Sequence, residues 1–190
     1  LSRPVHGSCR IIGGEWRSRR LPVLERPGLR PTPDRVRETL FNWLQQRIPG
    51  SRCLDLFAGS GVLGFEAASR GAAEVVMVEK QADVFRQLQS NIALLGSQTI
   101  HPLHQDALAF LATDASQFDV IFVDPPYDSD LLQQCLPLLP QHLASGGRVY
   151  LELPANQELP ELPGNLQRIR GKKAGLVGYY LATNDEQDRH

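Results

Sequence analysis

Residues 118–127 read FDVIFVDPPY, an apolar run that ends on an acid, two prolines and an aromatic ring. Stopping a strand takes one breaker. Here Asp124, Pro125, Pro126 and Tyr127 put a carboxylate, a rigid kink and a ring at one point. That set suits an exocyclic amine on a flat base, which offers two N–H donors and a delocalised lone pair. The Asp124 carboxylate and the Pro125 carbonyl can accept both hydrogens, freeing the lone pair to attack an electrophile. Proline fixes φ and donates nothing, so the carbonyls stay aimed. Tyr127 can stack on the base.

A second constellation lies upstream. In DLFAGSGVLGFE (55–66), Gly59, Gly61 and Gly64 follow a strand pattern and open a helix in the order G-x-G-x-x-G. Glycines there permit a tight turn and let a ligand approach without a Cβ in the way. Glu79 closes the next strand pattern, placed to accept from two ribose hydroxyls. A dinucleotide site keeps the helix N-terminus for pyrophosphate, an anion. Asp55, four residues before Gly59, opposes that and suits a cofactor with a cationic amino-acid portion and no phosphate. S-adenosylmethionine is such a molecule. Asp106 ends the third strand pattern, where it either accepts from an adenine amino group or caps the next helix. Phe57, Lys80, Ala107 and Asp124 are further expected cofactor contacts.

These residues need a scaffold. From residue 52 strand and helix patterns alternate: CLDLF, a helix near 62–70, EVVMVE, a helix near 81–95 closed by Gly96, a strand near 99–104 and a helix near 107–113. FDVIFVD, a helix near 129–143 and RVYLELP follow, with an antiparallel pair around Gly171–Gly175 at the end. This predicts an α/β protein with a parallel sheet covered on both faces. Upstream, residues 10–24 predict two short strands around a Gly-Gly or Trp-Arg-Ser-Arg turn. Thr32 or Asp34 is placed to cap a helix running to about Gln46.

Composition is that of an ordinary globular chain, 42% hydrophobic and 22% charged, without an apolar run of membrane-spanning length. Three widely spaced cysteines and no cysteine–histidine ligand pattern predict a reducing cytoplasm, no disulfide framework and no structural zinc. The net charge of −1 hides an asymmetry: residues 1–37 hold nine arginines and three acids. Arginine forks match phosphates and stack on bases, so a polyanionic partner is expected there. Arg10, Arg17, Arg19, Arg20 and Arg35 are the candidate contacts, and Trp16 either stacks on nucleic acid or pins the hairpin.

The glycine turn together with Asp124–Tyr127 resembles the class I, Rossmann-like S-adenosylmethionine-dependent methyltransferases that modify amino groups of bases. RIIGGEWRSRRLPV, LRPTPDRVRETLFNWL, CLDLFAGSGVLGFEAASRGA and FVDPPY together are similar to the RsmD-type bacterial 16S ribosomal RNA guanine-N2 methyltransferases, over roughly residues 10–155. The resemblance implies a seven-stranded, mostly parallel sheet with an antiparallel last strand and a small N-terminal β-hairpin extension. It implies methylation of one guanine N2 in small-subunit RNA, guanine 966 in the family type, on an assembling or assembled particle. It places Arg30 and Thr32 in the cofactor pocket, with Arg35 and Arg37 beside them. Residues 1–30 are expected as an RNA-contacting extension and 31–185 as the catalytic domain, acting as a monomer in the cytoplasm. A DNA adenine-N6 enzyme, another RNA amino-group methyltransferase, a nucleotide-dependent oxidoreductase and a non-catalytic RNA-binding module are the alternatives.

Overall fold

The computed structural model describes residues 6–27, 29 and 31–188. Arg30 therefore lies outside the described residues. β1 (His6–Arg10) and β2 (Arg20–Leu24) form an antiparallel hairpin in which Arg10 faces Arg20. Both expected turn segments fall in the loop between them. That loop leans on the main domain, and Gly14, at φ +81, lies so close to the Ser69 carbonyl that a Cβ would stand 1.9 Å from its oxygen.

The large sheet contains β3 (Arg52–Asp55), β4 (Glu74–Glu79), β5 (Ile100–His104), β6 (Phe118–Val123), β7 (Leu143–Pro154), β8 (Gln167–Ala174) and β9 (Val177–Thr183). Its order is β5-β4-β3-β6-β7-β9-β8; β9 alone runs against the others. β6 shows why the centre holds. Val120 and Phe122 point to one face, Ile121 and Val123 to the other, and all four are fully buried. Each such side chain contributes about 1.5–3 kcal/mol of burial.

On the first face lie α1 (Asp34–Trp43), α2 (Val62–Ser69), α3 (Ala82–Leu95) and the hairpin, whose Cys9, Ile11, Trp16, Leu21 and Val23 join the same core. On the second lie α4 (Ala107–Thr113) and α5 (Leu131–Cys135). Every residue of α2 is buried, because the hairpin loop covers its outer side. Glu66 of α2 accepts from the Ile12 and Gly13 amides, both at 2.9 Å, and pairs with Arg70 at 2.9 Å and Arg37 at 3.7 Å.

Two helix expectations need correction. The helix expected near 129–143 is one turn and a half of α5, followed by short 3-10 turns at Leu136–Leu138 and Pro140–His142. Pro137 and Pro140 lack the amides that a continuous helix requires. The expected cap of α1 by Thr32 or Asp34 is absent: Pro33 holds that position without a side-chain bond. Asp34 lies inside the first turn and pairs with Arg37, while the Thr32 hydroxyl serves the site. Among the described residues no helix is long and apolar enough to cross a membrane.

Candidate active site

β3 and β6 are parallel neighbours, Asp55 facing Phe122, and the Leu56 amide donates to the Phe122 carbonyl at 3.1 Å. Their carboxyl ends therefore open onto one crevice, the usual ligand position of such a sheet. The glycine turn and Asp124 meet there.

In the turn, Gly59 (φ +54) and Gly61 (φ +85) adopt the left-handed conformation. A Cβ on Gly61 would lie 2.4 Å from the Phe65 ring, so the turn can be this tight only without one. The Gly64 amide donates to Asp55 Oδ2 at 3.0 Å. Burial lifts the Asp55 carboxyl to about 7, opposed by that amide and assisted by the charge of Glu79. A cation beside it would draw the carboxyl back to its ionised form. Glu79 accepts from the Gly59 amide at 2.8 Å and the Gln81 amide at 2.9 Å, one on each oxygen. Each oxygen keeps a second lone pair, so the carboxylate is fixed yet able to take two hydroxyls. Leu29 lies across the turn, its Cδ1 3.1 Å from where a Gly59 Cβ would be. Phe57 is half-buried, Lys80 is exposed, and Ala107 is buried at the start of α4. Asp106 caps α4, accepting from the Ala109 amide at 3.1 Å, which was the plainer of its two readings. We expect Glu79→Ala to raise the cofactor KM about ten- to a hundredfold, the worth of hydrogen bonds to a charged group, with a smaller change in kcat. Steady-state kinetics at varied cofactor concentration measure the split.

At the end of β6, Asp124 keeps part of its surface accessible while Pro125 is buried and Pro126 exposed. The Thr32 hydroxyl lies 3.3 Å from Asp124 Oδ2 and 3.0 Å from Glu152 Oε2. Having one hydrogen, it donates to one of them at a time. Glu152, on β7, is buried and also accepts from Tyr150 Oη at 2.8 Å and from Tyr127 Oη at 3.4 Å. The half-buried Tyr127 ring is thus tethered at its hydroxyl.

Glu152 and Tyr150 escaped the sequence reading because YLELP looks like an ordinary buried strand. The signal was the acid itself, two residues from a tyrosine and inside an apolar run. Burial raises Asp124 well above the usual carboxylate range, and the charges of Glu152 and Asp55 raise it further. Burial also raises Glu152, against the hydrogen bonds from Tyr150, Thr32, Tyr127 and Asp124. The two carboxyls together hold a proton more tightly than either would alone. Glu152→Gln removes a charge that raises Asp124, so Asp124 ionises at lower pH. The ascending limb of kcat/KM against pH should therefore shift to lower pH, a displacement that loss of packing alone would not produce.

The basic residues separate into two kinds. Arg17 and Arg35 are exposed. Arg10 pairs with Asp34 at 3.3 Å, Arg19 donates to the Leu94 carbonyl at 3.2 Å and Arg20 to Ser8 Oγ at 3.5 Å, all with exposed surface. Arg37 is a strut, only 2% exposed and bonded to the Thr32 and Arg10 carbonyls. It does not line the crevice as expected. Trp16 is buried and its amide donates to Ser69 Oγ, so it pins the hairpin.

A mostly parallel seven-stranded sheet with its last strand reversed and a glycine turn after the first strand of the sheet define a class I methyltransferase fold. The chain belongs to the family described as Conserved hypothetical protein 95, the RsmD family, whose model matches residues 9–183. It is 44% identical to Ribosomal RNA small subunit methyltransferase D of Escherichia coli strain K12, covering 98% of this chain and 97% of that one. Identity to the Haemophilus influenzae protein of the same name is also 44%, over 94% and 95%. The solved Escherichia coli structure of yhhF, assigned as a methyltransferase, superposes with a TM-score of 0.85 at 44% identity, covering 94% of this chain and 99% of that one. A T. thermophilus 16S rRNA N2 G1207 methyltransferase, solved with AdoMet and guanosine, matches at TM-score 0.68 and 25% identity, covering 96% of this chain and 51% of that one.

Proposed function

We propose that this protein methylates the exocyclic N2 amine of one guanine in small-subunit ribosomal RNA, using S-adenosylmethionine. The observation that carries the reading is the group at the end of β6: Asp124, Tyr127, Thr32 and Glu152 share hydrogen bonds beside the glycine turn. The kinship to the small-subunit methyltransferases and to a guanine-N2 enzyme directs it to this substrate.

The residues fit the cofactor. Gly59 and Gly61 leave room for it, Glu79 takes the ribose hydroxyls, Asp55 answers its cationic end, and Phe57, Lys80, Asp106 and Ala107 surround its base. When bound, S-adenosylmethionine supplies a methyl carbon made electrophilic by the adjoining sulfonium. Asp124 and the Pro125 carbonyl hold the two amine hydrogens, so the nitrogen lone pair is aimed as it forms the new bond. Asp124 is also the nearest acceptor for the proton that the methylated nitrogen sheds, and Glu152 keeps that carboxyl oriented. Tyr127 stacks on the base, which must leave its own stack to arrive.

The hairpin, through Arg10, Arg17, Arg19 and Arg20, and Arg35 on α1 contact RNA phosphates. Residues to about 30 thus serve as an RNA-contacting extension of a catalytic domain spanning 31–185. The enzyme works as a cytoplasmic monomer on an assembling or assembled subunit.

The test is transfer of radiolabelled methyl to small subunits lacking the modification, to naked 16S RNA and to unmethylated DNA, followed by nucleoside analysis. Label in N2-methylguanosine supports the reading, and the preferred RNA form shows whether ribosomal proteins help build the substrate. Label in N6-methyladenine of DNA keeps the Asp124 chemistry and overturns the substrate.

A further inference from the structure

Beyond residue 37 the chain is acidic, with eleven basic residues against eighteen acidic ones. Four of those eleven, Arg168, Arg170, Lys172 and Lys173, fall within six residues of β8 with no acid among them. β8 is the edge of the sheet, and all four side chains are exposed. Arg168 lies over the Tyr180 ring at 6.0 Å; among the described residues none of the four forms an ion pair. Edge strands are often blunted by lysine, which would account for the charge alone. It does not account for the groove beside it.

That groove, of about 610 Å³, runs between the last turn of α1 and β8. Trp43, Arg47, Arg148, Arg170 and Asp188 line it. Asp188 is engaged by Arg47 and Arg148, leaving Arg170 unneutralised. Trp43 is half-buried and stacks on Tyr179 with ring centroids 5.4 Å apart.

Strand register connects the groove to the active site. Val123 faces Leu151, so Asp124 comes next to Glu152; Glu152 faces Tyr179, and Tyr179 faces Lys172. Direct cross-strand neighbours share a face. Lys172 therefore stands on the same face as Asp124, three strand spacings or about 14 Å away, with the Trp43–Tyr179 stack between. Arg170, opposite Leu181, shares that face.

We propose that this groove is a second RNA surface, taking the strand that flanks the target base, with phosphates on Arg170 and Lys172 and a base against Trp43. It rests on the ribosomal-RNA reading above and adds a binding surface at the edge of the sheet far from the hairpin. Phosphate contacts make binding salt-dependent, with a slope of about 0.7 in log K per log salt for each contact to a single strand. Arg170→Gln/Lys172→Gln should lower the slope of binding to naked 16S RNA by about 1.4, with cofactor affinity unchanged. The chain has two tryptophans, and Trp16 is buried in the core. RNA should therefore quench intrinsic fluorescence through Trp43, and Trp43→Phe should abolish the quench. A double variant with unaltered affinity and slope, against a wild type that binds RNA, overturns the groove and leaves the function reading standing. A quench that survives Trp43→Phe removes the stacking contact. A wild type that binds neither naked 16S RNA nor small subunits in a salt-dependent way brings down both readings.

Discussion

Asp124→Ala should lower turnover by about two to three orders of magnitude, the usual cost of removing one preorganised polar group from a reacting centre, while cofactor affinity stays near that of the unaltered protein. The geometry explains the split. Asp124 lies past the end of β6 and keeps accessible surface, whereas Glu79, the carboxylate proposed to take the ribose hydroxyls, belongs to β4 and is held by the Gly59 and Gln81 amides. Alanine at 124 leaves the amine with one acceptor in place of two and removes the nearest base for its proton. It also takes a bond from Thr32, though Thr32 retains Glu152 at 3.0 Å, so the local fold survives. Single-turnover methyl transfer and equilibrium binding of the cofactor measure the two halves separately. Loss of cofactor binding with unchanged turnover would reject this placement of Asp124.

The second large effect is on stability. Glu66→Ala should destabilise the protein by about 3–5 kcal/mol, because it strands a buried charge and several donors at once. Glu66 is fully buried, and Arg37, the cation 3.7 Å away, is 2% exposed. The Ile12 and Gly13 amides lose their acceptors as well, so the hairpin loop is held to α2 only at Ser69 and loosens. Urea unfolding at neutral pH should show a lower midpoint. Limited proteolysis should cut first in the loop between β1 and β2. A cost below about 1 kcal/mol, the level of an exposed pair, would show that water reaches this network freely.

Glu66 also shows where a sequence reading stops. Within GVLGFEAASRG it looks like the polar face of a surface helix, and nothing local says that a hairpin more than 50 residues upstream covers it. Glu152 is the same case for the active site. Its partners Thr32, Asp124 and Tyr127 come from two other parts of the chain, and the register of β6 beside β7 brings the Asp124–Tyr127 segment to it. Arg37 and Trp16 were misjudged or left open for that reason: each has a residue type suited to binding, yet long-range packing buries it. The over-long helix at 129–143 is a different kind of miss. Its apolar spacing is helical, but Pro137 and Pro140 withhold the amides, a local fact that outweighs the pattern.

What the sequence determined by itself is everything that depends on neighbours along the chain. Strand periodicity, the left-handed glycines at 59, 61 and 96, the acid-Pro-Pro-Tyr exit and the concentration of arginine near the N-terminus are all written within short windows. The order of strands, the burial of Glu66 and Glu152, and the line from Asp124 through Tyr179 to Lys172 were decided only in the tertiary structure. The physical reason is that a charge or hydroxyl takes its role from the partners and the solvent around it, and those are supplied by segments far apart in the chain.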